Sequence, residues 1–206
     1  MKRKLPLYVE RSVHQVQADR LDISSSFEQK MRSKGVITCA EGCASCCHHP
    51  LHISVVEGIL LYRSLVGHGL WTPSFRAGLE KHARMVTGLD IAVWLLSNIP
   101  CPVLDPKTKK CRAYDARPFS CRVTLATGDP HFCHPQRLGR ATTIIAHREE
   151  SEEFRRREAV ILRKHGLTHL TLPIGKAVLL AERICTGAIG LEETDRVFVR
   201  EFLEEA

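Results

Sequence analysis

Four cysteines, Cys39, Cys43, Cys46 and Cys47, stand within nine consecutive positions, and His48 and His49 follow directly. Cys101, Cys111, Cys121 and Cys133 form a second group, separated by nine, nine and eleven intervening residues. Thiolates are the ligands that zinc ions and iron–sulfur clusters prefer, and four of them complete one tetrahedral site or anchor one cubane. Exposed free thiols are reactive, so four in so short a stretch read as a metal-binding group and not as scatter. The odd total of nine cysteines also fits pairwise disulfides poorly. The ninth, Cys185, shares one apolar helical face with Ile174, Val178 and Ala181 and reads as a small buried hydrophobe.

The spacings bear on which metal. Structural zinc sites favour paired C-x-x-C knuckles, and only Cys43 and Cys46 make one. Cys39, Cys43 and Cys46 have the C-x-x-x-C-x-x-C spacing that can cap three corners of a cubane, so the pattern leans to iron–sulfur over zinc. Radical S-adenosylmethionine enzymes share that spacing. They usually carry an aromatic before the third cysteine and alternate strands with helices after it, whereas this chain has Ser45 and a helical pattern. Neighbouring side chains diverge in extended or helical backbone, so Cys46 and Cys47 are expected to serve different centres, or Cys46 alone to be a ligand. His48, His49, His131 and His134 flank the cysteines and suit hydrogen bonding to ligands more than ligation itself. Arg117 and Arg122 flank Cys121 and would offset thiolate charge.

Composition frames these residues. The 206 residues, 44% of them hydrophobic, are enough for one domain spanning 1–206. The basic start, "MKRKLPLYVE", has no apolar region behind it, and no stretch is long and apolar enough for a membrane span. The expectation is a cytoplasmic protein with reduced thiols and no membrane partner. The formal charge of +7 counts cysteines as neutral. Two sites of four metal-bound thiolates would lower it to about +3, and the basic residues are spread along the chain. A nucleic-acid partner stays open without being indicated.

The elements that must position the cysteines read as mostly helical. A helix over 9–20 precedes a second short one to about residue 34, opened by the capping-box pair Ser25 and Glu28. Ser54 and Glu57 repeat the pattern and open a helix to about Val66 whose face carries Val55, Ile59, Tyr62 and Val66. Thr72 and Pro73 start a helix bearing Phe75, Leu79, His82, Ala83 and Val86, with His82 expected in the core. "DIAVWLLSNI" is apolar all round and expected to be buried. "CPVLDPKTKKCRAY" suggests a short β-hairpin, with Tyr114 at its end and Asp115 capping a short helix through Cys121. Three helices are expected over about 149–205: one stopped by Gly166, one in "TLPIGKAVLLAERICTG", one in "EETDRVFVREFLEE".

Two blocks carry a family resemblance. The first is the compact group ending in the pair Cys46 and Cys47. The second runs Cys101, Pro102, Leu104, Cys111, Tyr114, Arg117, Pro118, Cys121, Arg122. Together they resemble the YkgJ-type cysteine-cluster proteins, a family described as zinc- or iron-chelating and related to flagellin lysine N-methylases. The resemblance covers about 39–133 and implies eight shared cysteines, with Cys133 as the eighth. Methyl transfer does not carry over, because no glycine-rich strand-to-helix turn is present to cradle S-adenosylmethionine. The expectation is a mainly α protein with an irregular cysteine-rich region. Cys39, Cys43, Cys46, Cys47, Cys101, Cys111, Cys121 and Cys133 would hold one or two centres, iron–sulfur or zinc. The alternatives are an enzyme using such a centre, such as a methylase-like protein-modifying enzyme, or a zinc-stabilised nucleic-acid-binding module.

Overall fold

In a computed structural model the chain is described over residues 5–35, 37–39, 42–137, 142–165 and 169–190. The fold is mainly α, as expected. Helix α1 spans Leu7–Ser33 without a break and buries Val9, Val13, Val16, Ile23, Phe27 and Met31 at helical spacing. The expected boundary at Ser25 is therefore corrected. The apolar stripe runs straight through it, Ser25 faces solvent, and Glu28 pairs with Arg32 one turn on, at 2.7 Å. A capping-box pattern opens a helix only where the stripe also begins.

It does begin at α2, Val55–Gly67, where the Ser54 side chain accepts from Glu57 N–H and the Glu57 carboxylate accepts from Ser54 N–H. Helix α3, Pro73–Val86, starts at Thr72 and buries the five residues expected, His82 among them. Helix α4, Ile91–Leu96, departs from expectation. It buries only Trp94, while Ile91, Val93 and Leu96 are 54%, 50% and 70% exposed. A six-residue helix at the periphery turns one face inward, here onto Val86 and Ile99, and no described element covers the rest.

Helix α5, Phe119–Val123, carries Cys121, and α6, Arg148–Arg163, packs on α1 through Phe154, Glu158 and Leu162. Helix α7, Ile174–Thr186, ends at Gly187, whose φ of 76° lets Ala188 N–H return to the Arg183 carbonyl at 2.8 Å. Gly166 and the helix expected over "EETDRVFVREFLEE" lie outside the described residues. No helix among the described residues is long and apolar enough to cross a membrane.

Strands are short. β1, His52–Ser54, pairs antiparallel with β4, Thr171–Pro173, and β2, Ala126–Gly128, with β3, Thr142–Ile144. The hairpin expected over 101–114 reduces to a turn closed by one bridge, Leu104 to Cys111. β1 runs into α2 and β4 into α7, so pairing the strands brings the two helices together. They meet where α2 has no side chain: a Cβ on Gly58 would lie 2.6 Å from the Ala177 carbonyl oxygen.

That contact is with backbone, which cannot swing aside. Gly58→Ala is expected to lower unfolding stability by about 1–3 kcal/mol, despite the better helix propensity of alanine. Gly78→Ala, where a Cβ meets nothing within 4 Å, should instead stabilise by up to about 1 kcal/mol. Urea unfolding of the two variants checks both signs.

Candidate metal centre

The cysteines ride on the least regular parts of the chain, each anchored to a scaffold element. Cys46 and Cys47 sit in a 3₁₀ turn, Ser45–His48, just before β1. Cys101 and Cys111 stand at the two ends of the 101–111 turn, and Cys133 closes a 3₁₀ turn, Pro130–Cys133. Cys39 is held on β2: Thr38 N–H donates to the Ala126 carbonyl at 3.0 Å, and Ala126 N–H points at Cys39 Sγ at 3.2 Å.

The two sequence groups meet. Cys101 N–H donates to the Cys47 carbonyl at 2.7 Å. Cys43, Cys46, Cys47, Cys101, Cys111 and Cys121 line one cavity of about 80 Å³, closed by apolar side chains including Leu61, Val103 and Ile174. A single water needs only about 10–15 Å³ of such space. Cys39 and Cys133 do not line this cavity. They lie near Cys43 and Cys46, since each thiol is pushed up in pKa by burial and by the electrostatic proximity of those two. Cys46 thus neighbours both sets of sulfurs. Cys46 and Cys47 do not diverge to opposite sides as extended backbone would have them; their thiols are hydrogen-bonded and both line the cavity. Cys185 packs at the edge of the core, far from this chemistry in role, with Ile174, Val178 and Ala181 buried beside it.

The electrostatics of the protein groups favour neutral thiols at Cys46, Cys101 and Cys121. Hydrogen bonding to Cys47 and burial push Cys46 far above the ordinary range, burial pushes Cys101 up to about 12, and burial and the neighbouring sulfurs raise Cys121. Among the described residues no three His, Cys, Asp or Glu side chains already stand in an arrangement that could hold a metal ion. The donor set nevertheless suits one: soft sulfur donors around a roomy, apolar-walled cavity, costly to ionise unless a cation joins them.

The fold supplies cations of its own: Lys109, Lys110 and Arg117 all line the cavity. Arg117 lines the cavity, its charge lowers the thiol pKa at Cys46, Cys111 and Cys121, and its guanidinium lies 3.7 Å from the centre of the Tyr114 ring. Its buried Nε has no partner among the described residues. Arg122 does another job. It donates to the Arg117 and Asp115 carbonyls at 3.2 and 2.6 Å, and it is not among the main influences on the Cys46, Cys111 and Cys121 thiols. Arg20 completes the clamp from α1, donating at 3.0 and 2.8 Å to the carbonyls of Ala116 and Arg117. Arg20 is fully buried, and burial lowers its pKa to about 10, so it stays charged at neutral pH. Sequence reading passed over Arg20. Its signal was a charge standing in the apolar stripe between Val16 and Ile23.

The cap of α5 is likewise not Asp115, which accepts from Ser64 Oγ at 3.0 Å. Phe119 N–H donates instead to Glu57 at 2.6 Å, across from α2. The histidines hold backbone and each other: His49 Nε2–H donates to the Cys133 carbonyl at 2.7 Å, and the rings of His48 and His134 meet at a 47° tilt with their centres 4.6 Å apart.

Arg117→Gln should weaken metal affinity roughly tenfold or more, since an adjacent opposite charge shifts a pKa by about 1–3 units. Arg117→Lys should restore part of the loss. Arg122→Gln should act mainly through thermal stability, and Arg163→Glu, on exposed α6 surface, should change neither. Competition with a chromophoric chelator, beside a melting curve for each protein, checks the division of roles.

Comparison with known proteins identifies a family. Neither a curated protein nor a solved structure matches the chain. A family model does, over residues 38–158, more than half of the chain and the stretch holding all eight candidate ligands: CxxCxxCC, whose description is "putative zinc- or iron-chelating domain". With the paired Cys46 and Cys47 and the second cysteine group folded against them, the chain belongs to this CxxCxxCC family of zinc- or iron-chelating domains.

Proposed function

We propose that this protein holds two thiolate-ligated metal centres, with iron–sulfur favoured over zinc. The observation that carries the reading is the single cavity lined by six cysteines drawn from both sequence groups. Cys101, Cys111 and Cys121 would supply one centre, and Cys39, Cys43 and Cys133 the other. Cys46 and Cys47, between them, complete the two sets of four. The bound group supplies electrophilic or redox character. The chain's residues hold its sulfurs out of water, set Arg117 against their charge, and fix the turn on which both sets depend. Iron–sulfur is favoured by the three-cysteine spacing and the scarcity of C-x-x-C knuckles.

Anaerobic purification followed by metal analysis and a visible absorption spectrum tests the reading. Brown protein with iron and sulfide in equal amounts supports clusters, and colourless protein with stoichiometric zinc replaces them with zinc sites. Cys101→Ser and Cys39→Ser should each lose about half the metal, and Cys185→Ser none. Total loss in either single variant would collapse the two centres into one.

The raised thiol pKa values add a pH dependence with a fixed sign. Burial holds the Cys101 and Cys121 thiols far above neutral pH, whereas ligation takes thiolates, so metal binding would expel protons and weaken as pH falls. Affinity for added zinc should fall about tenfold per pH unit for each thiol that ionises. Proton release measured in weak buffer should count those thiols directly.

A further inference from the structure

A second cavity, of about 420 Å³, opens between α3 and the segment 99–106. One wall is a helical stripe of Phe75, Gly78, His82 and Met85, and the facing wall is rich in proline. Gly78 leaves a gap in the stripe, since a Cβ there would meet no atom within 4 Å. The charged residues lining the cavity are Lys81 and Arg112, and no acid lines it. Arg112 lies 5.6 Å from the Phe75 ring centre and 3.7 Å from the Asp105 carboxylate, which stands outside the cavity. Lys81 is exposed and makes no hydrogen bond or ion pair among the described residues.

His82 adds a neutral polar group. It is 5% exposed, and burial lowers its pKa to about 4. Its Nδ1 is buried without a partner among the described residues, against Gly175 of α7. An apolar cavity with a few placed polar groups is the usual form of a small-molecule site.

We propose that this cavity binds a small amphipathic organic anion, its apolar body between the α3 stripe and the prolines and its acid group against Lys81 and Arg112. Cys101 lines this cavity as well as the cysteine cavity, so the ligand would rest against the outer wall of the candidate metal centre. Binding does not depend on the identity of the metal.

The test uses the full chain as purified and 8-anilinonaphthalene-1-sulfonate, an aromatic anion whose fluorescence rises in apolar surroundings. One saturable site is expected, displaced by decanoate and not by decylamine. Gly78→Leu, whose Cβ would meet no atom within 4 Å and whose side chain would occupy the gap in the stripe, should weaken binding about tenfold. Lys81→Glu should weaken it about fivefold. Leu96→Gln, removing an apolar side chain 70% exposed on α4 outside the cavity, should leave it unchanged. Absence of binding, or undiminished binding by Gly78→Leu, overturns the proposal, and equal displacement by decylamine overturns its anionic class. Metal analysis and circular dichroism of each variant separate these outcomes from failure of the metal centre or of the fold.

Discussion

The Glu57 carboxylate is where scaffold and cysteine region are joined. It caps its own helix by accepting from Ser54 N–H, and it also accepts from Phe119 N–H, the first donor of the helix that carries Cys121. Ser54 Oγ donates to Glu158 of α6, and His169 donates to the other Glu158 oxygen at 2.9 Å. Four segments distant in sequence are thereby fastened around two carboxylates, both almost wholly buried. Burial and the nearby Glu158 raise Glu57 above the ordinary carboxylate range, while Glu158 holds the His169 imidazole above its own. Each buried carboxylate oxygen has a donor, which is what makes such a cluster tolerable in a core.

The cysteine region depends on this fastening because it has little regular structure. Its turns are pinned one by one: Cys39 on β2, Cys47 on Cys101, and the 113–118 loop between Arg20 and Arg122. The same clamp aims Arg117 at the sulfurs. Structure and electrostatics are thus supplied by different arginines, although the sequence presents Arg117 and Arg122 as equivalent neighbours of Cys121.

How much was legible follows from range. The start of α3 at Thr72 and its five buried residues were readable because cap and stripe lie within one helix and agree. The capping box at Ser54 was readable for the same reason. The false start at Ser25 shows a local motif outvoted by a longer apolar periodicity. The exposure of α4 was hidden because hydropathy measures appetite for burial, not the presence of a neighbour. The cap of α5 by Glu57 and the clamp by Arg20 were illegible on principle, since each joins residues more than 60 positions apart. At the candidate site the residue types and their two groups stood in the sequence, but the single cavity between them did not.

The close contact of α2 with α7 has a consequence for how the chain is made. Gly58 and Ala177 touch across roughly 120 residues of sequence, which a ribosome adds in about 6–24 seconds. Throughout that interval α2 lacks the helix that covers it, and all eight candidate ligands emerge before α7 exists. Nascent thiols in that window are open to air oxidation and to opportunistic metals. The cavity wall supplied by Ile174 is therefore completed late, and β4 and α7 close a cavity lined by six cysteines of which they contribute none.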